Sequence, residues 1–208
     1  MLYTSTVAEG TLDILKNIFQ IKELENFYLV GGTNLSLRYG HRISVDIDLF
    51  STVEFENDQI IEILERNFQT FSYKNNSNPI GVFGFIDNVK IDLVRHHFFN
   101  KISETIVVDG IRMFGDQDIM AMKSLAILKR GVKKDFYDII ELLNYYSVED
   151  FIISYKKKYV NNSIPISIPY ALTYFVDADE SEDPVSLNGQ TWETVKSGIQ
   201  KAVRDYLA

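Results

Sequence analysis

FYLVGGTNLSLRYGHRISVDIDLFS, residues Phe27 to Ser51, decides how the rest of the chain is read. An apolar run, Phe27 to Val30, ends at Gly31-Gly32-Thr33. A second run, Ser44 to Phe50, carries Asp46 and Asp48. Strand side chains alternate between faces, so Asp46 and Asp48 share one. Adjacent carboxylates repel, and burying them unpaired is costly. A divalent cation relieves both problems, and Mg²⁺ prefers hard oxygen ligands. The competing reading is an edge strand with its acidic side in water. Gly31 and Gly32 let backbone amides approach an anion at the start of a helix. That helix, capped by Thr33 or Asn34, would end near Gly40.

Outward from this stretch, apolar spacing predicts a helix from about Val7 to Glu23 and another from Glu54 to Phe68. Strands are expected at Thr70 to Lys74, Ile80 to Ile86 and Val89 to Val94, with turns at Asn75–Pro79 and Asp87-Asn88. A further pair, Glu104 to Val108 and Ile111 to Phe114, is joined at Asp109-Gly110, a strong hairpin signal. Beyond Gly115 the pattern turns helical: Asp116 to Lys129, Lys134 to Tyr145, Asp150 to Tyr159, Pro169 to Phe175 and Trp192 to Leu207. Asn161 to Ile168 reads as a polar connection, and Asp177 to Asp183 as an acidic loop. The fold class is α+β. A mixed-sheet core over residues 1–115 precedes a helical part over 116–208 that packs on it.

The composition narrows the function. The chain has 208 residues, a net charge of -8 and no cysteine. A generally basic nucleic-acid surface is therefore excluded, as are disulfides, thiolate zinc sites and a cysteine nucleophile. No apolar run reaches membrane-spanning length and no leader pattern opens the chain, so a cytoplasmic protein with no membrane partner is expected.

A third carboxylate, Asp92, interrupts the apolar run Val89 to Val94. If that strand lies beside the Asp46–Asp48 strand, three carboxylates meet on one sheet face. Such a set can hold two Mg²⁺ ions that bridge a nucleotide's phosphates. Asp46 and Asp48 would ligate metal, while Asp92 would ligate the second ion and help to deprotonate an attacking hydroxyl. Arg42 could pair with a phosphate or with Asp48, and Ser44 could support the carboxylates. His41 reads as a loop histidine. His96 and His97 read as exposed residues at a strand end.

Gly31-Gly32-Thr33, then about a dozen residues, then Asp46-x-Asp48, then Asp92, resembles the pattern of the DNA polymerase beta nucleotidyltransferase superfamily. The wording of Leu29 to Thr33, of His41 to Phe50 and of Lys133-Lys134-Asp135-Phe136-x-Asp138 is similar to the AbiEii abortive-infection toxin family. The resemblance spans Phe27 to Leu143. It implies a polymerase-beta-like fold and an enzyme that moves a nucleoside monophosphate from an NTP to an acceptor hydroxyl, with Mg²⁺ as cofactor. It implies a site in which Gly31, Gly32, Thr33, Arg42 and Ser44 bind nucleotide. Lys123 would touch the triphosphate, and Lys134, Asp135 and Asp138 would belong to the same site. It further implies a toxin of a type IV toxin–antitoxin or phage-defence system, with a cognate antitoxin and an RNA acceptor such as a tRNA 3′ end. Two other readings stay open: nucleotidylation of a protein hydroxyl, AMPylation among them, and a nucleotide-binding module that does not catalyse.

Overall fold

The structure, a computed structural model, describes residues 1–8, 10–75, 77–97, 99–160 and 166–208. Parts of three expected features therefore lie outside the described residues: the N-terminal helix at residue 9, the Asn75–Pro79 turn at residue 76, and the Asn161 to Ile168 connection at 161–165. The chain forms two units. The first comprises Met1–Arg38, Ser44–Phe99 and Thr105–Phe114; the second comprises Tyr39–Ile43, Asn100–Glu104 and Gly115–Ala208.

The first unit holds α1 (Thr11–Gln20), β1 (Phe27–Leu29), α2 (Gly31–Tyr39), β2 (Ile47–Ser51) and α3 (Asn57–Asn67). After these come β3 (Ser72–Tyr73), β4 (Gly81–Ile86), β5 (Val89–Arg95), β6 (Ile106–Val108) and β7 (Ile111–Met113). Among the described residues the sheet has seven strands in the order β3-β4-β5-β2-β1-β7-β6. It is mixed: β2 runs parallel to β5, β1 parallel to β7, and the remaining neighbours are antiparallel. Asp87 and Asn88 at φ 48° and 65°, and Asp109 and Gly110 at φ 51° and 79°, close the two hairpins with positive φ at both central positions. That is the geometry a two-residue turn needs to match the strand twist.

Period-two alternation sorts the sheet's faces. Ile47 and Leu49 of β2, Ile91 and Leu93 of β5, and Val82 and Ile86 of β4 are buried in a core that includes Leu15 and Ile18 of α1 and Ile60 and Leu64 of α3. Truncating one such side chain to alanine costs about 2–5 kcal/mol, because the transfer and cavity terms add. The residues between them, Asp48 on β2, Lys90 and Asp92 on β5, and Phe83 and Phe85 on β4, emerge on the other face and retain solvent exposure.

The second unit is helical: α4 (Asp116–Lys129), α5 (Lys133–Leu142), α6 (Val148–Lys158), α7 (Ile168–Thr173), α8 (Val176–Asp179) and α9 (Trp192–Leu207). Its centre joins Phe136 to Phe175 and Trp192, with ring centroids 5.2 and 5.6 Å apart. Capping boxes start α6 at Ser147 and α9 at Thr191. The expected acidic loop begins with the short helix α8 instead, whose Asp179 accepts from Trp192 Nε1 at 2.7 Å. Among the described residues no helix is long and apolar enough to cross a membrane.

Candidate active site

Asp48 and Asp92 are register partners in the parallel β2–β5 pair, so their side chains emerge side by side. Asp46 precedes the first residue of β2. The strand expected from Ser44 to Phe50 therefore begins at Ile47, and Asp46 is carried by the connection leading into it. Thr33 shapes that connection: its hydroxyl donates to the Asp46 carbonyl and lies 2.9 Å from Ser44 Oγ. Thr33 and Ser44 are buried and hold backbone here, rather than pointing into open space.

The glycine pair forms the first turn of α2 itself. Gly31 has φ +70°, and a Cβ built there would stand 2.5 Å from Asp48 Oδ2. Only glycine permits both that backbone and that approach. The Asp48 carboxylate consequently lies at the positive end of the helix dipole. Asn34, with no functional role expected from sequence, anchors α2 by donating at 2.9 Å to both Leu29 O and Phe114 O.

Lys90 is the second residue that sequence reasoning passed over. Its ammonium pairs with Asp92 Oδ2. Burial pushes Lys90 down, but the hydrogen bond to Asp92 and the charges of Asp92, Asp48 and Asp46 outweigh it and hold the ammonium above its ordinary value. All three carboxylates therefore act on one cation. Asp92 Oδ1 is buried without a hydrogen-bond partner. The signal was present in sequence, since residues 90 and 92 of a strand share a face.

Among the described residues no three acidic or histidine side chains form a ready-made metal cage. Mg²⁺, however, is commonly held by one or two carboxylates together with substrate phosphates and water. The adjacent Asp48 and Asp92, and the unpartnered Oδ1, fit that donor set.

The second unit brings together another group of expected site residues. Arg42 clamps Asp138, with Nε to Oδ1 at 2.7 Å and Nη2 to Oδ2 at 2.9 Å. His41 Nε2 lies 2.7 Å from the same Oδ1. Lys123 Nζ reaches Asp138 Oδ2 at 2.5 Å and Asp135 Oδ1 at 2.8 Å. Arg42 thus pairs with Asp138, where the sequence had offered a phosphate or Asp48. His41 lies in a loop as expected, but it is buried and a partner in this network. Burial opposes ionisation of Asp138, yet Arg42, Lys123 and the His41 hydrogen bond together hold its carboxyl well below the usual range. Burial likewise pushes Lys123 down, and Asp135 and Asp138 more than reverse it, so its ammonium lies above its ordinary value. Lys134 does not share the buried face of α5: it is exposed while Asp135 and Asp138 are fully buried. His96 is also corrected, being buried against Phe50 and Phe99 at ring-centroid distances of 4.8 and 5.1 Å.

The first unit thus carries a mixed sheet whose glycine-opened helix abuts one member of a strand-paired carboxylate set. Solved structures share this fold. A candidate nucleotidyltransferase from H. pylori superposes with a TM-score of 0.60 at 17% identity, covering 95% of this chain and 94% of that one. MenT4, the nucleotidyltransferase toxin Rv2826c from Mycobacterium tuberculosis H37Rv, gives 0.58 at 14% identity, covering 92% and 80%. The uncharacterized protein aq_aa25 of Aquifex aeolicus (strain VF5) is 32% identical over 203 residues, 94% of this chain and 95% of that protein. Residues 13–162 match the family described as nucleotidyl transferase AbiEii toxin, type IV TA system, and the chain belongs to that family.

Proposed function

We propose that this nucleotidyltransferase moves a nucleoside monophosphate from an NTP to an acceptor hydroxyl on nucleic acid, with Asp46, Asp48 and Asp92 as the residues that hold Mg²⁺. The observation that carries the proposal is the pairing of Asp48 with Asp92 under the first turn of α2, one Asp92 oxygen being left without a partner. Bound divalent cations supply charge neutralisation and Lewis acidity at the phosphoryl oxygens. The chain supplies the rest. Gly31 and Gly32 leave the α2 amides open to phosphate oxygens. Lys90 orients Asp92, which takes the proton of the acceptor hydroxyl. The hydroxyl oxygen bonds to the α-phosphorus as the bond to pyrophosphate breaks.

The family's description supports a role as the toxin of a type IV pair with a cognate antitoxin. An RNA acceptor, a tRNA 3′ end included, is preferred over a protein hydroxyl because Asp92 adjoins an aromatic surface described below. Purified protein incubated with Mg²⁺, each α-labelled NTP and a cell extract tests the reading. Label is expected in the nucleic-acid fraction and is expected to vanish in an Asp46→Asn/Asp48→Asn variant. Undiminished transfer by that variant, or transfer by neither protein, overturns it.

A further inference from the structure

Beyond Asp92, the chemically active sheet face continues onto β4. Phe83 stands directly opposite Asp92 in the antiparallel β4–β5 ladder, and Phe85 directly opposite Lys90. Directly opposed residues share a face. A row of Asp48, Asp92 and Phe83 therefore crosses three adjacent strands, with Lys90 and Phe85 alongside. A pocket of about 420 Å³ opens over the β5 and β4 part of this row, lined by Phe83, Phe85, Lys90 and Asp92 and, at the β3 edge, by Tyr73 and Lys74. Phe85 is 42% exposed and Tyr73 39% exposed. Large aromatics left open on a sheet are unusual unless something covers them.

We infer that this pocket receives the acceptor: the end of a single-stranded nucleic acid whose bases stack on Phe83 and Phe85 and whose terminal hydroxyl lies beside Asp92. This rests on the transferase reading above. Three observations select the occupant. Aromatic rings on an open sheet face suit bases, every one of which has a π-face. Lys74 and Lys90 add positive charge at the same pocket, complementary to a phosphodiester backbone. Asp92 itself forms part of the pocket wall, beside the two aromatic rings, so a strand end held there adjoins the carboxylate.

The test uses the full chain and a fluorescein-labelled six-nucleotide RNA, read by anisotropy at low salt. Phe85→Ala is expected to weaken binding about tenfold, the loss of one base-stacking contact. Phe85→Tyr, which keeps the ring, is expected to restore it. Thermal stabilisation by Mg²⁺ and NTP should be unchanged in both variants. Equal RNA affinity in wild type and Phe85→Ala, or no RNA binding by the wild type, overturns the inference. So does loss of NTP stabilisation in Phe85→Ala with RNA binding intact, which would make this the nucleotide's own base pocket, and so does transfer of label to protein alone. Failure of the transferase reading is separately visible, as absence of NTP stabilisation and transfer in the wild type while the RNA comparison can still be made.

Discussion

Asp48 and Asp92 face one another across the β2–β5 ladder, with Lys90 as the cation nearest to the pair. Two neighbouring carboxylates on a partly buried face are held against their mutual repulsion. Removing one charge should therefore separate function from stability. Asp48→Asn is expected to reduce nucleotide transfer about a thousandfold, the rate equivalent of the several kcal/mol a catalytic cation contributes. The same variant should unfold at a slightly higher temperature without Mg²⁺, and lose the extra stabilisation that Mg²⁺ with NTP gives the wild type. Paired calorimetry scans check both; a fall in metal-free stability would mean that Asp48 is structural.

Gly31 makes a second, independent prediction. A methyl group there meets Asp48 Oδ2 at 2.5 Å on a backbone at φ +70°. Gly31→Ala is expected to cost about 1–3 kcal/mol for the left-handed conformation alone, and to turn the Asp48 carboxylate away from α2. Urea unfolding measures the first effect. Mn²⁺ affinity in the presence of NTP measures the second, and should fall in Gly31→Ala. A Gly31→Ala protein with unchanged Mn²⁺ affinity would show that the contact is relieved elsewhere.

The Arg42–Asp138 clamp predicts a pH dependence. Asp138 titrates below its unfolded value of about 3.9, so its stabilisation is complete above that pH and is lost as pH falls through the folded value. Lys123 has the opposite sense. Its folded value lies above the unfolded one of about 10.4, so its stabilisation is present below that pH and is lost as pH rises further. Arg42→Met should cost about 3–5 kcal/mol, since it leaves a buried carboxylate short of its partner. It should also shift acid unfolding to higher pH. Far-UV circular dichroism against pH reads this directly, and an acid limb that does not move would assign the low Asp138 value to Lys123 instead.

These residues also show where the sequence was legible. Elements set by local pattern were readable: Asp116–Lys129 and Trp192–Leu207 match their apolar periodicity to the residue, and Asp87-Asn88 and Asp109-Gly110 are turns that few other dipeptides favour. The pairing of Asp48 with Asp92 on adjacent strands was legible because acidic residues inside apolar strand runs are rare. Arg42 was misread for a physical reason. Its partner, Asp138, is 96 residues away, and no local period encodes such a pairing. The exposure of Lys134 beside buried Asp135 and Asp138 was not legible, because helical spacing gives neighbours without saying which flank is buried. Phe83 and Phe85 drew no functional reading, because an aromatic in a strand looks the same in sequence whether its face meets the core or open solvent.

Asp118 and Lys158 pair across 40 residues, again a relationship no local period encodes, and they support the last prediction. Asp118 Oδ2 accepts from Ser103 N at 2.8 Å and from the Ser103 hydroxyl, while Lys158 Nζ donates to Oδ1 at 2.5 Å; both side chains are fully buried. This pair ties the Asn100–Glu104 segment to the helices of the second unit, so Asp118→Ala should speed hydrogen exchange at the Ile102 and Ser103 amides. Burial pushes Lys158 below its ordinary value despite the favourable pull of Asp118. The unfolded chain therefore binds the proton more tightly, and stability rises with pH between the folded value and about 10.4. Asp118→Asn removes the charge that opposes this shift, so the rise should steepen and begin at lower pH. Urea unfolding free energies from about pH 7 to pH 10 follow the window directly. An unchanged slope in the variant would mean that Asp118 does little to hold the proton on Lys158, and that Asn100 O, which accepts from the same Nζ at 2.9 Å, supplies the stabilisation instead.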